Sequence, residues 1–394
     1  MERLDPYYRP TRAEISLDAL RRNLEAFRAA LPQGMRLMAS VKANAYGHGA
    51  VEVAREAERF GVDYLGVAFL DEAIQLRKAG IATPILVLGF VPVEGLELAR
   101  KLNITIALFR EDILHAISAL PAAEQKLRVH VKVDTGMGRL GLPPGDEAIA
   151  FIERALAEPK LEVEGLFTHY ARADEANKDY TALQYERFNS LTQTLAQRGI
   201  DIPIIHAANS AAGMETPQWA YGMTRLGIGM YGLYPSQEVN QTRIKLSPVM
   251  SLKTQVVMVK QAPPGWGISY GTRYFTAGEE RIGTLPIGYA DGYSRMMTGK
   301  AQAIVRGVKV PVLGTICMDQ CMIALDPAAQ AGVPVEAGEE VVLIGEQGSE
   351  AITADDLASM LDTINYEVTC MIAARVPRVY IRDGQPVDTW NPLG

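Results

Sequence analysis

Cysteine is scarce in this chain of 394 residues: there are three, Cys317, Cys321 and Cys370. An odd count in a chain this long excludes a disulfide framework and points to reduced thiols and a cytoplasmic location. Long apolar runs are missing too. The longest, 85–93, is broken by Gly89 and Pro92 and falls far short of the roughly 20 residues that span a bilayer, so no membrane partner is expected. Residues 1–12 hold charges and prolines without an apolar centre and do not form a signal-peptide pattern. Nor is there a basic excess. Lys plus Arg total 39 against 46 Asp plus Glu, a net charge of −7, which argues against nucleic acid as a partner. At 48% hydrophobic and 22% charged residues, the chain has the composition of an ordinary globular protein, and intrinsic disorder is excluded.

The first 230 or so residues alternate short β-branched runs with amphipathic stretches. Strands are predicted at 36–41, 63–69, 84–88, 104–109, 128–134, 163–169, 204–207 and 225–231. Helices are predicted at 17–30, 50–60, 71–79, 112–120, 146–157 and 180–198. This alternation implies right-handed βαβ units and a parallel sheet. Eight strands close a (β/α)8 barrel, and an open doubly wound sheet is the alternative. Beyond Pro248 the pattern changes to strands and turns, at 254–259, 281–286, 303–310, 341–344 and 375–381, with one helix at 353–361. The fold expected is therefore α/β: a barrel over 1–246 followed by a mainly β C-terminal domain over 247–394.

Lys42 ends the first barrel strand, in the segment Val41-Lys42-Ala43-Asn44-Ala45-Tyr46-Gly47-His48-Gly49. The C-terminal ends of barrel strands form the catalytic face. A lysine desolvated there can form a Schiff base, although a solvated lysine at a strand end is also common. The glycines on either side of His48 permit either a tight turn or a close backbone approach. A zinc site built on Cys317 and Cys321 is rejected, because no second pair of ligands follows at the required spacing. His115, His130 and His206 are expected to be structural or solvated, as is His48, which lies close to the site.

Segment 41–49 resembles the pyridoxal-phosphate attachment segment of the alanine racemase family. The likeness continues at 132–141 (KVDTGMGRLG), Thr168-His169, 206–210 (HAANS) and 225–228 (RLGI). It extends through 269–271 (SYG), 288–292 (GYADG), 316–322 (ICMDQCM) and 364–367 (INYE). The resemblance implies a barrel, a β-rich second domain and a homodimer whose subunits share their active sites. It implies pyridoxal 5'-phosphate as cofactor and the interconversion of L- and D-alanine, with D-alanine going to peptidoglycan.

Roles follow by the same resemblance. Lys42 attaches the cofactor and is one of two bases; Tyr270, from the partner subunit, is the other. Two bases on opposite faces of Cα spare a single base from crossing the cofactor plane. Arg225 faces the pyridine nitrogen. As a permanent donor it keeps that nitrogen unprotonated and weakens the electron sink. Tyr46, Asn209, Ser210, Gly227, Ile228 and Tyr366 bear on the phosphate. Arg139 bridges the cofactor's phenolic oxygen and the substrate carboxylate, which the Met318 N–H also binds. His169 links Tyr270 to Arg225, whose positive charge favours the phenolate. Lys132 is expected to be carbamylated, which would relieve its repulsion with Arg139; bound chloride or a nearby Asp is the alternative. Cys317 and Asp319 neighbour Tyr270, and Tyr289 and Tyr366 narrow the entrance.

Three rivals remain. One is a racemase of broader amino-acid specificity on the same scaffold. The second is a non-catalytic cofactor-binding protein, which would lack the β-rich domain. The third is a fold-related decarboxylase.

Overall fold

The computed structural model describes residues 7–393. The expectation for the N-terminal segment therefore falls partly on residues 1–6, outside the described residues. The chain forms two compact units. Among the described residues, one comprises 20–45 and 50–247, and the other 7–19, 46–49 and 248–393. Among the described residues no helix is long and apolar enough to cross a membrane.

The first strand, β1 (Arg12–Ser16), belongs to the second unit. The next eight are β2 (Arg36–Ser40), β3 (Tyr64–Val67), β4 (Ile85–Val87), β5 (Ile104–Leu108), β6 (Leu127–Lys132), β7 (Leu161–Phe167), β8 (Ile204–His206) and β9 (Met223–Leu226). They form one parallel sheet in the order β8-β7-β6-β5-β4-β3-β2-β9. The sheet is nearly closed, with the Arg225 N–H donating to Ala208 O at 3.0 Å and the Gly222 N–H to Ile205 O at 2.9 Å across the remaining gap.

Every residue of β3, β4 and β5 is buried, as expected of strands covered on both faces. Met38, Tyr64, Leu86, Ile204 and Met223, from five strands, pack into one apolar layer. Each such side chain contributes about 2 kcal/mol by leaving water. Helices cover the outside. Ala50–Phe60, for example, buries Val53, Ala54 and Ala57 together with Glu52 and Glu56, whose carboxylates pair with the more exposed Arg55 and Arg59.

Two local expectations differ from the structure. The eighth strand does not run through 225–231: it is Met223–Leu226, and Ile228–Tyr231 form a 3-10 turn. Gly227 leaves the extended path at φ −102°, ψ −113°, and two further glycines shape the turn. Gly232 has φ +80°, and a Cβ at Gly229 would lie 2.7 Å from the Phe27 ring. A helix at Val93–Lys101, unpredicted, links β4 to β5. Gly95 obscures its signal, but a Cβ there would come within 2.6 Å of Leu70.

In the second unit β1 pairs antiparallel with β10 (Met250–Gln255) and parallel with Arg378–Arg382. Its alternating pattern buries Ala13 and Ile15. Residues 12–16 are thus part of the β-rich unit's sheet, although they precede the barrel in sequence. The single strand expected at 303–310 is a hairpin, Gln302–Val305 with Val308–Leu313. Arg306 and Gly307 turn it with φ +50° and +76°, the signs of a type I′ turn. The predicted helix is Ala354–Leu361, closed by a reciprocal cap between Thr353 and Asp356. A further helix, Asn365–Met371, follows it unpredicted.

Candidate active site

The barrel's C-terminal rim collects nine of the residues singled out in the sequence. Lys42 follows β2, Lys132 ends β6, and Arg139 lies in the next loop. His169 follows β7, Asn209 and Ser210 follow β8, Arg225 lies in β9, and Gly227 and Ile228 follow it. Arg225 therefore sits near the end of its strand and does not open it.

Lys42 begins an unusual turn. Ala43, Asn44, Ala45 and Tyr46 all have φ of +52° to +54°. A run of left-handed non-glycine residues costs roughly 1 kcal/mol or more apiece and persists only where the surroundings impose it. Here the Ala50 N–H donates to Asn44 Oδ1 at 2.9 Å. The Ala43 N–H donates to Glu72 Oε1 at 2.6 Å, while Glu72 Oε2 accepts from Ala68 N–H at 2.7 Å. The following glycines have both properties allowed by the sequence. Gly47 and Gly49 have φ +87° and +97°, and a Cβ on Gly47 would stand 2.1 Å from Thr369 O.

Arg225 is the hub of the rim, 5% exposed. Its guanidinium donates to His206 Nδ1, Thr168 O and Ala207 O, each at 2.8 Å, and to His169 Nδ1 at 3.0 Å. Burial lowers its pKa to about 10, which leaves it charged at neutral pH. Arginine only donates, so both histidines must accept at Nδ1 and carry their hydrogens on Nε2. The His206 Nε2–H then donates to His130 Nδ1 at 2.9 Å. His130 Nε2 lies 3.4 Å from Glu164 Oε2. A polar line thus runs from Arg225 through two fully buried imidazoles to a carboxylate. The sequence reading of His130 and His206 missed this, because partners on β6, β8 and β9 meet only across the barrel interior.

Burial, reinforced by Arg225, Arg139, Lys132 and Lys42, holds His169 well below the ordinary histidine range. Its imidazole is neutral at physiological pH. Lys132 is lowered to about 8 by burial and then by Arg139, Arg225 and Lys42, against the opposing pull of Asp134. The Phe167 ring helps hold these cations together: Lys132 Nζ lies 5.2 Å and Arg225 Cζ 5.6 Å from its centroid. Ser210 Oγ accepts from the Gly227 N–H at 2.8 Å and the Gly229 N–H at 3.3 Å, so its own hydrogen is left to donate.

The remaining candidates lie in the second unit. Tyr46 and Tyr366 pack ring to ring at 6.1 Å. The carbonyl of Gly47, next in sequence, accepts from buried Arg378 at 2.9 Å. Tyr270 opens a 3-10 turn and is 73% exposed; its carbonyl accepts from Thr315 Oγ1 at 2.8 Å. Ser269 Oγ lies 3.2 Å from Cys317 Sγ. Cys317 O and Met318 O accept from the N–H groups of Tyr289 and Ala290 at 3.0 and 3.1 Å. Asp319 is held by Arg375 at 2.6 Å, and Arg375 also grips buried Asp291 at 2.7 Å. Arg375 and Arg378 carried no sequence signal that separates them from structural charges, and Asp291 stood inside the 288–292 motif without a role of its own. Among the described residues no group of His, Cys, Asp and Glu could hold a metal ion.

Both halves of the chain match racemase domains: the alanine racemase N-terminal domain over residues 15–235 and its C-terminal domain over 249–380. The class is that of isomerases built from a barrel and a β domain. Alanine racemase of Geobacillus stearothermophilus is 45% identical over 99% of this chain and 98% of its own length. That of Clostridium novyi (strain NT) is 42% identical over 98% and 99%. A solved alanine racemase of Bacillus anthracis with bound L-Ala-P superposes with a TM-score of 0.92 at 40% identity, covering 98% of this chain and 99% of the other. One from Clostridium difficile 630 gives 0.91 at 42% identity with the same coverage. The chain belongs to the alanine racemase family.

Proposed function

We propose that this protein interconverts L- and D-alanine in the cytoplasm with pyridoxal 5'-phosphate, supplying D-alanine for peptidoglycan. The observation that carries this reading is the barrel rim. Arg139, Arg225 and Lys42 all act on Lys132 there, a local cationic site in a chain of net charge −7. That charge suits an anionic cofactor and a carboxylate substrate.

The residues fit the cofactor. Lys42 would hold it covalently, Arg225 would face its ring nitrogen, and Arg139 its phenolic oxygen. Asn209, Ser210, Gly227 and Ile228 would hold its phosphate, Ser210 with the hydroxyl hydrogen left to it by the two N–H bonds it accepts; Tyr46 and Tyr366 would contact it as the family resemblance implies. When bound, the cofactor withdraws electrons from the bonds at the substrate's Cα and acidifies its hydrogen.

Once the substrate amine has displaced it from the cofactor, Lys42 Nζ would be a free amine able to take or return the Cα proton on one face, serving D-alanine. Tyr270 Oη of a second copy serves L-alanine on the other. Neutral His169 accepts from Arg225 at Nδ1, so its Nε2–H is available to steady a phenolate. Arg139 and the Met318 N–H orient the carboxylate, Asp319 and Cys317 support Tyr270, and Tyr289 narrows the entrance. The buried Lys132 amine, lowered to about 8, is partly unprotonated at neutral pH and can take up carbon dioxide; the resulting carbamate anion would orient Arg139. We assign cofactor binding to 1–246, apart from β1, and completion of the partner's site to 247–394, in a homodimer. Tyr270 is 73% exposed, which leaves its side chain open to a second copy and supports that assignment.

The test is incubation with L-alanine in deuterated water, followed by chiral chromatography and measurement of Cα deuterium. Racemisation with exchange is expected. Exchange without inversion would show that the second base is missing. A panel of other enantiopure amino acids separates this reading from a broad-specificity racemase.

A further inference from the structure

Asp134 lies two residues beyond Lys132 and five before Arg139, in a loop the mechanism uses only through Arg139. Its carboxylate is unusually occupied. Oδ1 accepts from the N–H groups of Gly136, Met137 and Gly138 at 2.9, 2.8 and 3.1 Å. Oδ2 accepts from the Arg139 N–H at 3.0 Å. Four successive backbone donors thus converge on one side chain, the last belonging to the residue that is to bind the substrate carboxylate.

The loop is fastened elsewhere as well. The Asp134 N–H donates to Leu142 O at 2.9 Å, and the Leu142 N–H to Lys132 O at 3.0 Å, closing the loop at its base. Arg187 holds Thr135 O at 2.9 Å and Tyr180 holds Gly136 O at 2.7 Å. A Cβ on Gly141 would lie 2.6 Å from Asp134 N. These contacts fix the ends and the near side. The segment from Gly138 to Arg139 is held by the Asp134 carboxylate.

We infer that Asp134 is a positioning residue for substrate recognition: its carboxylate presets the 136–139 loop so that Arg139 stands in place before a carboxylate ligand arrives. This rests on the proposed role of Arg139. Burial opposes ionisation of Asp134, but the four N–H donors outweigh it and hold the carboxyl below its usual range. The cradle therefore stays intact across neutral and mildly acidic pH. Asn in its place keeps the shape but turns an NH2 toward the Arg139 N–H, setting donor against donor.

Two measurements on the cofactor-loaded enzyme test this. In the wild type without ligand, hydrogen exchange of amides 136–139 is already slow, and adding propionate, a carboxylate without an amine, changes it by less than about twofold. Fast exchange that slows only with propionate would overturn the inference, because the ligand would then be organising the loop. In Asp134→Asn the same amides exchange about 10-fold or more faster, and KM for L-alanine and the propionate inhibition constant rise together by about 10-fold, with kcat changed less. Wild-type exchange and wild-type KM in that variant would also overturn it. A wild-type enzyme that binds propionate but does not racemise alanine would instead overturn the proposed function and leave the loop measurement standing.

Discussion

The two clusters assigned to one reaction are built to different degrees of completion. On the barrel rim Arg225 is 5% exposed and its donors meet four acceptors. The tautomers of His169 and His206 follow from it, and four N–H groups settle on Asp134. That cluster is finished within its own unit. In the β-rich unit the backbone around Tyr270, Cys317 and Met318 is firmly tied, yet the Tyr270 and Met318 side chains stand in solvent. The first cluster has the preorganisation that electrostatic catalysis requires. The second has a fixed backbone and, at Tyr270, an exposed side chain, which the proposed homodimer would cover.

The largest effect should come from removing Lys42, the base proposed on the barrel rim. Lys42→Ala should lower racemisation by about 10⁴-fold or more and abolish the absorbance of covalently held cofactor; a variant that keeps that band would break the assignment. Tyr270→Ala should keep the band and lose about 10³-fold, chiefly in the L-to-D direction. Equal loss in both directions would remove the division of labour between the faces.

A smaller effect is expected at the hub. Arg225→Glu should slow racemisation by about 10²-fold while raising the proportion of transamination product, because a carboxylate there lets the pyridine nitrogen protonate. Unchanged partitioning would contradict the electronic role given to the arginine.

The smallest effect concerns Lys132. Its folded-state pKa of about 8 lies below the ordinary 10.5, so the charged amine costs stability below pH 8, and the cost fades as pH rises toward 10.5. In buffer free of carbon dioxide, thermal stability relative to Lys132→Met should therefore climb through that window. With bicarbonate present the climb should flatten as the carbamate forms. A flat profile in both buffers would contradict the burial argument.

Much of the barrel was legible because its strands are short apolar runs with both faces covered. In Tyr64–Val67 and Ile104–Leu108 every residue is buried, Thr105 included. What remained illegible had physical causes. Gly95 lowers the apparent helicity of Val93–Lys101 while serving a close packing contact. The strand Arg12–Ser16 looks local, but its partners are Met250–Gln255 and Arg378–Arg382. At the site, Lys42 and Arg225 were found through motifs. The left-handed turn after Lys42 was not, because Asn44 alone favours positive φ and the alanines on either side do not; the bonds from Ala43 to Glu72 and from Ala50 to Asn44 hold it. His130 and His206 carry no periodicity that reveals a contact across a barrel. Asp134 stood inside a quoted motif without a role until its four hydrogen bonds were seen.

The contrast between a finished rim and an exposed tyrosine is tested most directly by mixing two inactive variants. Lys42→Ala and Tyr270→Ala chains would be unfolded together, refolded and assayed for alanine racemisation. If each site takes its lysine from one subunit and its tyrosine from the other, half the dimers are mixed and each has one intact site. Activity then returns to about a quarter of the wild-type value. Activity no greater than the average of the two variants alone would contradict the account, since the lysine and tyrosine would then have to serve within one chain.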